Sequence, residues 1–147
     1  MPAYNGRMSD SVENVARAFV NAINRHDLAA LADFMTTEHR FIDSLGNVVE
    51  GRDKMRAAWA GYFRMVPDYS IAIDEAHGSG AVVVLLGSAQ GTYSSDGQLR
   101  EENRWQTPAA LRAVIADGKV AEWRVYADNE PMRRLVARRP AEMRQRN

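Results

Sequence analysis

The amino-acid sequence predicts an α+β fold in which helices come first and a sheet of antiparallel strands follows, around one hydrophobic core. Apolar residues recur mostly at helical spacing before Pro67 and alternate after it. Turn signals such as Asp117-Gly118 separate the alternating stretches. At 147 residues the chain can bury such a core without metal or disulfide support. We therefore expect a single domain.

Composition and charge exclude several classes of function. Apolar residues make up 46% of the chain, and 19 basic residues balance 19 acidic ones, so no overall field attracts nucleic acid or an anionic membrane. The chain has no cysteine, which excludes disulfides, thiol nucleophiles and zinc-thiolate sites. The N-terminus lacks the apolar segment of a signal peptide, and the longest apolar run, residues 81–86, is too short to span a bilayer. We expect a cytoplasmic protein.

Two helices are predicted in the first part of the chain, after a disordered polar leader at residues 1–8. Ser9 or Asp10 can cap the first helix, and Asp27 can cap a short second helix. The apolar face of the first helix comprises Val12, Val15, Ala16, Phe19, Val20 and Ile23, and that of the second comprises Leu28, Leu31, Ala32, Phe34 and Met35. The two helices should form a compact hairpin.

A short strand at residues 40–44 and a third helix from about Asp53 to Met65 follow. Alternation along the strand places Phe41 and Asp43 on one face, and Gly46-Asn47 marks a turn after it. The helix ends before Pro67. Its apolar stripe comprises Met55, Ala58, Trp59, Tyr62 and Val66.

Four antiparallel strands are predicted at residues 69–76, 81–93, 103–115 and 119–126. Pairing the last two about Asp117-Gly118 sets Ala110 opposite Val125 and Arg112 opposite Trp123. One face then carries Gln106, Ala110, Arg112, Val114, Ala121, Trp123, Val125 and Ala127, and we expect it to line a cavity. The opposite face carries Trp105, Leu111, Ile115, Val120, Arg124, Tyr126 and Asp128. A bulge in this hairpin would exchange the faces locally.

The chain is predicted to end in a short helix that begins at Asn129-Glu-Pro131, followed by a basic tail at residues 138–147. Asp128 is placed to cap this helix. The single domain therefore covers residues 9–137.

Three segments carry a resemblance to a known family: Arg25-His-Asp27-Leu-Ala-Ala-Leu, Phe41-Ile-Asp43 with Gly51-Arg-Asp, and Asp117-Gly-Lys-Val-Ala-Glu-Trp-Arg-Val-Tyr126. With the order of elements, they resemble the nuclear-transport-factor-2-like (cystatin-like) superfamily over about residues 12–135. This superfamily includes steroid delta-isomerases, SnoaL-type polyketide cyclases and limonene epoxide hydrolase. The resemblance implies a cone-shaped curved sheet around three N-terminal helices, a central apolar pocket and a homodimer formed through the sheet.

Some catalytic residues of these relatives are missing. In the steroid isomerases an aspartate at the position of Asp43 is the general base, and a helical tyrosine and a protonated aspartate polarise the substrate carbonyl. Those two positions correspond here to Phe19 and to about Ala110. The Arg-x-Asp pair of limonene epoxide hydrolase is absent, and Val125 stands where its last aspartate would be. The resemblance therefore transfers a candidate base but neither named reaction.

Asp43 is the first catalytic candidate, and Tyr62 is the second. Burial of Asp43 among apolar walls would raise its pKa and suit it to acid or base chemistry near neutral pH. The alternative is that Asp43 caps the Gly46-Asn47 turn or pairs with an arginine. Tyr62 has a hydroxyl that needs a partner if it is buried. We expect Asp43 to line the main cavity.

Further residues are candidates for ligand binding. Gln106 and Arg112 could orient a carbonyl or carboxylate, although the stem of Arg112 could instead pack on Trp123. Aromatic side chains at these spacings could form a wall for a flat ligand or part of the core. The predicted ligand-binding set is Phe19, Phe41, Trp59, Phe63, Gln106, Arg112, Trp123 and Val125.

No metal or cofactor is predicted. His26, His39 and His77 do not have a metal-ligand spacing. His39 begins the predicted strand and is expected at the surface.

The sequence thus leaves two interpretations of function. The first is an enzyme of the isomerase, cyclase or hydratase type that acts on a small apolar molecule with Asp43 as acid or base. The second is a ligand-binding or accessory module of the same fold without chemistry.

Overall fold

The computed structural model describes the backbone of residues 2–145 and the side chains of residues 11–138, and it confirms the α+β fold. The helices are α1 (Pro2–Asn24), α2 (Leu28–Phe34), α3 (Arg52–Met65) and α4 (Glu130–Gln145), with one 3-10 turn at Glu101–Asn103. The strands are β1 (Met35–Ile42), β2 (Val48–Glu50), β3 (Ser70–Ser79), β4 (Val82–Thr92), β5 (Arg104–Ala116) and β6 (Lys119–Ala127).

The six strands form one curved, unclosed sheet in the order β2-β1-β6-β5-β4-β3. Neighbouring strands are antiparallel except β1 and β6, which pair in parallel. The sequence predicted an antiparallel sheet because the later strands are joined by short turns. β1 and β6 are far apart in the chain, so no hairpin constrains their direction.

The two chain ends differ from the predicted bounds. α1 begins at Pro2, so its backbone includes residues 2–8 of the predicted leader. α4 runs to Gln145 and is longer than the short helix expected. The described part excludes Met1, residues 146 and 147, and the side chains of 2–10 and 139–145. The side chains of the predicted basic tail after Arg138 therefore lie outside it. Within the described residues, no helix has the length and apolarity needed to cross a bilayer.

The core forms where α1 packs on the inner face of the sheet. Phe19 and Trp123 are buried and lie with ring centroids 4.9 Å apart. The rest of the predicted α1 face follows the same pattern, with Ala16, Val20 and Ile23 buried. The predicted cap of α2 is also confirmed, since Asp27 Oδ1 accepts a hydrogen bond of 3.0 Å from the Ala30 amide.

A register shift in the β5–β6 hairpin exchanges the predicted faces of β5. Asp117 and Gly118 have positive φ angles of 53° and 74°, as the turn prediction requires. The shift between Val114 and Ile115 pairs Leu111 with Val125 and Ala113 with Trp123. The inner face of β5 therefore carries Trp105, Thr107, Ala109, Leu111, Ala113 and Ile115, all buried.

His39 is fully buried, and its predicted place at the surface is wrong. β1 begins at Met35 rather than at Arg40, and its pairing with β6 shifts register between these two residues. His39 therefore lies inside a strand rather than at its start. Its Nδ1–H donates a 2.7 Å hydrogen bond to the Val120 carbonyl oxygen, so the neutral ring carries its proton on Nδ1.

Two glycines in β4 allow close approach of neighbouring backbone. A Cβ atom on Gly87 would overlap the carbonyl oxygen of Ala72, beside the register shift between Ile73 and Glu75 in β3. A Cβ atom on Gly91 would overlap the side chain of Val66 and lie 3.4 Å from the Cα atom of Tyr69. These glycines let β3 and the segment before it lie close to β4.

We expect Gly87→Ala to lower the free energy of unfolding by about 2 kcal/mol or more, because the new methyl group displaces the backbone of β3. Urea denaturation measures the change. Gly61→Ala is the control. Gly61 lies in α3, and a Cβ atom there would have its nearest neighbour 3.7 Å away. That variant should be as stable as the parent or more stable by about 0.5 kcal/mol. Equal stability of the two variants would contradict the close approach at Gly87.

Folding stability should decline below about pH 6.5 because of His39. Burial lowers the pKa of His39 below its ordinary value of 6.5, and the Val120 carbonyl and Glu122 oppose this only in part. The unfolded chain therefore takes up this proton at a higher pH than the folded chain. The stabilisation is complete above pH 6.5 and is lost as the pH falls toward the lowered pKa.

Urea denaturation at a series of pH values tests this dependence. His39→Gln should be less stable than the parent, but its free energy of unfolding should fall less steeply between pH 7 and about pH 5. His77→Gln is the matched control, because the side chain of His77 is 65% exposed. A slope that is unchanged in His39→Gln would show that other groups cause the decline.

Candidate functional site

A cavity of about 290 Å³ lies between α3, the end of β1 and the inner face of the sheet. Its walls are mostly apolar and aromatic. Polar side chains reach it from the loop after β1, from α3 and from β5. The lining residues used below are Phe41, Asp43, Trp59, Tyr62, Tyr69, Trp105, Thr107 and Val125. A pocket of this composition is typical of a site for a small, largely apolar molecule.

Asp43 is half-buried at the edge of this cavity, immediately after β1 ends at Ile42. Its Oδ1 accepts hydrogen bonds of 2.9 Å from the amides of Leu45 and Asn47, and its Oδ2 accepts one of 3.1 Å from the Asn47 side chain. Asp43 therefore lines the cavity, as expected, and also caps the Gly46-Asn47 turn, which the sequence offered as the alternative.

Trp59 and Tyr62 bring two aromatic rings to the cavity from one face of α3. Their rings contact edge to face, with centroids 6.2 Å apart. Tyr69 lies next to them, at 6.4 Å from Trp59 and 4.9 Å from Tyr62, and Trp105 lies 6.1 Å from Tyr69. We call Trp59, Tyr62, Tyr69 and Trp105 the aromatic wall.

The aromatic wall is rich in hydrogen-bond donors. Burial raises the pKa of Tyr62 and of Tyr69 far above the ordinary value, so both phenols are neutral at physiological pH. The indole nitrogens of Trp59 and Trp105 are buried and have no partner among the described residues. An indole N–H can only donate, and a neutral phenol donates one hydrogen bond. The two indole nitrogens are fully buried, so the phenols of Tyr62 and Tyr69 are the donors of the wall that a molecule in the cavity could meet.

Five of the predicted site residues meet at this cavity: Asp43, Tyr62, Phe41, Trp59 and Val125. Three others are in the core instead. Phe19 packs on Trp123, and Phe63 stacks on the ring of His26 with centroids 4.0 Å apart.

Gln106 and Arg112 lie on the outer face of β5, so their prediction as cavity residues is wrong. The register shift between Val114 and Ile115 reverses the face of β5 relative to β6. Gln106 is exposed, and Arg112 forms an ion pair of 2.8 Å with Glu122, whose other carboxylate oxygen lies 3.4 Å from Arg40. These charges tie β5, β6 and β1 together on the outside of the sheet.

Tyr69, Trp105 and Thr107 line the cavity but were not among the predicted site residues. Tyr69 stands at the start of a predicted strand, where its direction cannot be read from alternation alone. Trp105 was assigned by an unbroken hairpin register to the opposite face, and Thr107 was assigned to neither face. A run of alternating large and small residues along β5 was visible, but its inward side depends on the bulge.

Comparisons with known proteins identify the family. A family model of the SnoaL-like domain matches residues 16–123. A comparison with curated protein sequences finds no match.

Solved structures show the same fold at low sequence identity. A Shewanella denitrificans protein, provisionally assigned as a SnoaL-like polyketide cyclase, has a TM-score of 0.74 and 15% identity, over 86% of this chain and 96% of that one. AclR from Streptomyces galilaeus, provisionally assigned as a hydroxylase, has a TM-score of 0.69 and 19% identity, over 86% and 85%.

A third structure, from Catenulispora acidiphila, is described as having a ketosteroid isomerase-like fold and was crystallised with trimethylamine. Its TM-score is 0.66 at 16% identity, over 76% of this chain and 83% of that one. At these identities the structures show a common fold and no common activity. The family model, in contrast, spans most of the sequence, including β1, α3 and the sheet strands that surround the cavity. The chain therefore belongs to the family of proteins with a SnoaL-like domain.

Proposed function

We propose that the protein is an enzyme that binds a small, largely apolar molecule in the cavity and catalyses an isomerisation, cyclisation or hydration. Asp43 acts as the general acid or base, and no cofactor takes part. The observation that carries this proposal is a carboxylate at the edge of a mostly apolar and aromatic cavity. A carboxylate in such a place is suited to take a proton from, or give one to, a bound molecule.

The hydrogen bonds of Asp43 leave it able to act as a base. Each carboxylate oxygen has two lone pairs. Oδ1 accepts from two amides of the turn, whereas Oδ2 accepts only from the Asn47 side chain. Oδ2 therefore keeps one lone pair for a proton, and the turn fixes the orientation of the carboxylate.

A second candidate function is binding without chemistry, and the same turn favours it. Three hydrogen bonds hold the Asp43 carboxylate in a local loop motif that also occurs where no reaction takes place. Under this alternative, Asp43 shapes the cavity edge and the ligand leaves unchanged.

Proton exchange on a bound ketone distinguishes the two candidates. 1-Tetralone is a suitable probe, because it is a bicyclic ketone with exchangeable hydrogens beside its carbonyl. In D₂O, NMR should show that the protein speeds deuterium incorporation above the buffer rate. Asp43→Asn should reduce this acceleration by roughly 100-fold or to background, because the amide cannot take the proton.

Asp53→Asn is the matched control, since the Asp53 side chain is 98% exposed at the start of α3. It should exchange deuterium as fast as the parent. Binding of 1-tetralone without faster exchange in the parent would support the non-catalytic candidate. Retention of the acceleration in Asp43→Asn would remove Asp43 as the base.

We also propose that the protein forms a homodimer through the outer face of the sheet. Val82, Val84 and Leu86 alternate with buried residues of β4 and are only half-buried. On β5, Ala110 pairs with Leu86 and Val114 with Val82, which widens this apolar area. Tyr126 on β6 is 49% exposed. Arg112 stands among these residues and is paired with Glu122, and a partly exposed apolar patch of this kind favours association with a second copy.

Sedimentation velocity tests the dimer. Val84→Lys should shift the parent dimer toward monomer, because it places a charge in the centre of this face. Leu99→Lys is the control, since Leu99 is 53% exposed in the loop between β4 and β5. It should leave the mass unchanged. A parent that sediments as a monomer would contradict the proposal.

A further inference from the structure

The two tyrosine hydroxyls of the aromatic wall lack hydrogen-bond partners among the described residues. Neither the Tyr62 nor the Tyr69 phenol forms a hydrogen bond with any residue that the structure describes. The indole nitrogens of Trp59 and Trp105 are fully buried, whereas the two phenol oxygens are not. Tyr69 as a residue is only 9% exposed and lines the cavity, so its accessible edge faces that space.

The backbone of Tyr69 is held in place from three sides. Its carbonyl oxygen accepts a 2.8 Å hydrogen bond from Nε2–H of His26, and its amide donates a 3.1 Å hydrogen bond to the Val66 carbonyl. The preceding Asp68 accepts hydrogen bonds from the amide and hydroxyl of Thr92, at 2.6 and 2.8 Å. A ring on a backbone fixed in this way is pre-organised for binding.

The side chain of Tyr69 is also confined. Its ring lies between those of Tyr62, Trp59 and Trp105. No residue that the structure describes accepts a hydrogen bond from the Tyr69 hydroxyl, and the indoles of Trp59 and Trp105 cannot do so, because an indole N–H only donates. A ligand oxygen in the cavity would supply the acceptor that this hydroxyl lacks among the described residues.

We propose that Tyr69, supported by Tyr62, is a positioning residue that donates a hydrogen bond to an acceptor oxygen of the bound molecule. The ligand then has an apolar body and at least one carbonyl or similar oxygen directed at the aromatic wall. This inference rests on the proposed binding function. It assigns the ligand's acceptor to a tyrosine on the segment between α3 and β3, which is separate from the Asp43 turn.

The experiment compares a ketone with the matching hydrocarbon, 1-tetralone and tetralin, by titration followed by tryptophan fluorescence. Tyr69→Phe should weaken binding of 1-tetralone about two- to tenfold, because one hydrogen bond is lost, and should leave tetralin binding unchanged. Tyr62→Phe should have a smaller effect of the same kind. Leu99→Ala, which shortens an exposed side chain in the loop between β4 and β5, should change neither affinity.

A spectroscopic readout separates positioning from packing. The infrared carbonyl stretch of bound 1-tetralone should lie at lower frequency in the parent than in Tyr69→Phe, because a hydrogen bond weakens the carbonyl bond. Equal weakening of both compounds, or an unchanged carbonyl frequency, would overturn the role of Tyr69 while leaving cavity binding intact. If neither compound binds the parent protein, the proposed binding function itself fails.

Discussion

The parallel pairing of β1 with β6 is the constraint on which the site depends. β1 has only two neighbours in the sheet, the three-residue strand β2 and β6, so its position follows from β6. The buried hydrogen bond from His39 to the Val120 carbonyl joins the two strands from the inside, and Arg40 contacts Glu122 on the outside. Because Asp43 follows directly after β1, this pairing delivers the carboxylate to the cavity edge.

Two kinds of polar group line the cavity: a carboxylate that accepts hydrogen bonds from its own turn, and phenols that have no hydrogen-bond partner among the described residues. The Asp43 carboxylate receives its hydrogen bonds from a local turn, so it can lie beside apolar walls without an ion-pair partner among the described residues. The phenols of Tyr62 and Tyr69 are neutral donors without a partner in the described chain. A bound molecule would therefore meet an acceptor at the turn and donors at the aromatic wall, which gives it one preferred orientation.

This arrangement differs from that implied by the steroid isomerases. There, a tyrosine on the first helix and an acid on a later strand polarise the carbonyl, and here Phe19 is in the core and Ala110 lies on the outer face. The Tyr62–Tyr69 pair comes instead from α3 and the segment between α3 and β3. The same fold can thus present a donor from a different element, because the cavity is enclosed by several elements at once.

The sequence by itself determined the element types, the buried face of α1, the Asp117-Gly118 turn and the aromatic stripe of α3, because these follow from local periodicity and turn chemistry. It also predicted that Asp43 lines the cavity and offered capping of the Gly46-Asn47 turn as an alternative. Only the tertiary structure decided which face of β5 points inward, since one shifted residue pair in the hairpin reverses that face. It also decided that β1 runs parallel to β6, which buries His39, and that Tyr69 lies beside Tyr62. These outcomes depend on contacts between residues distant in the chain, and no local pattern records them.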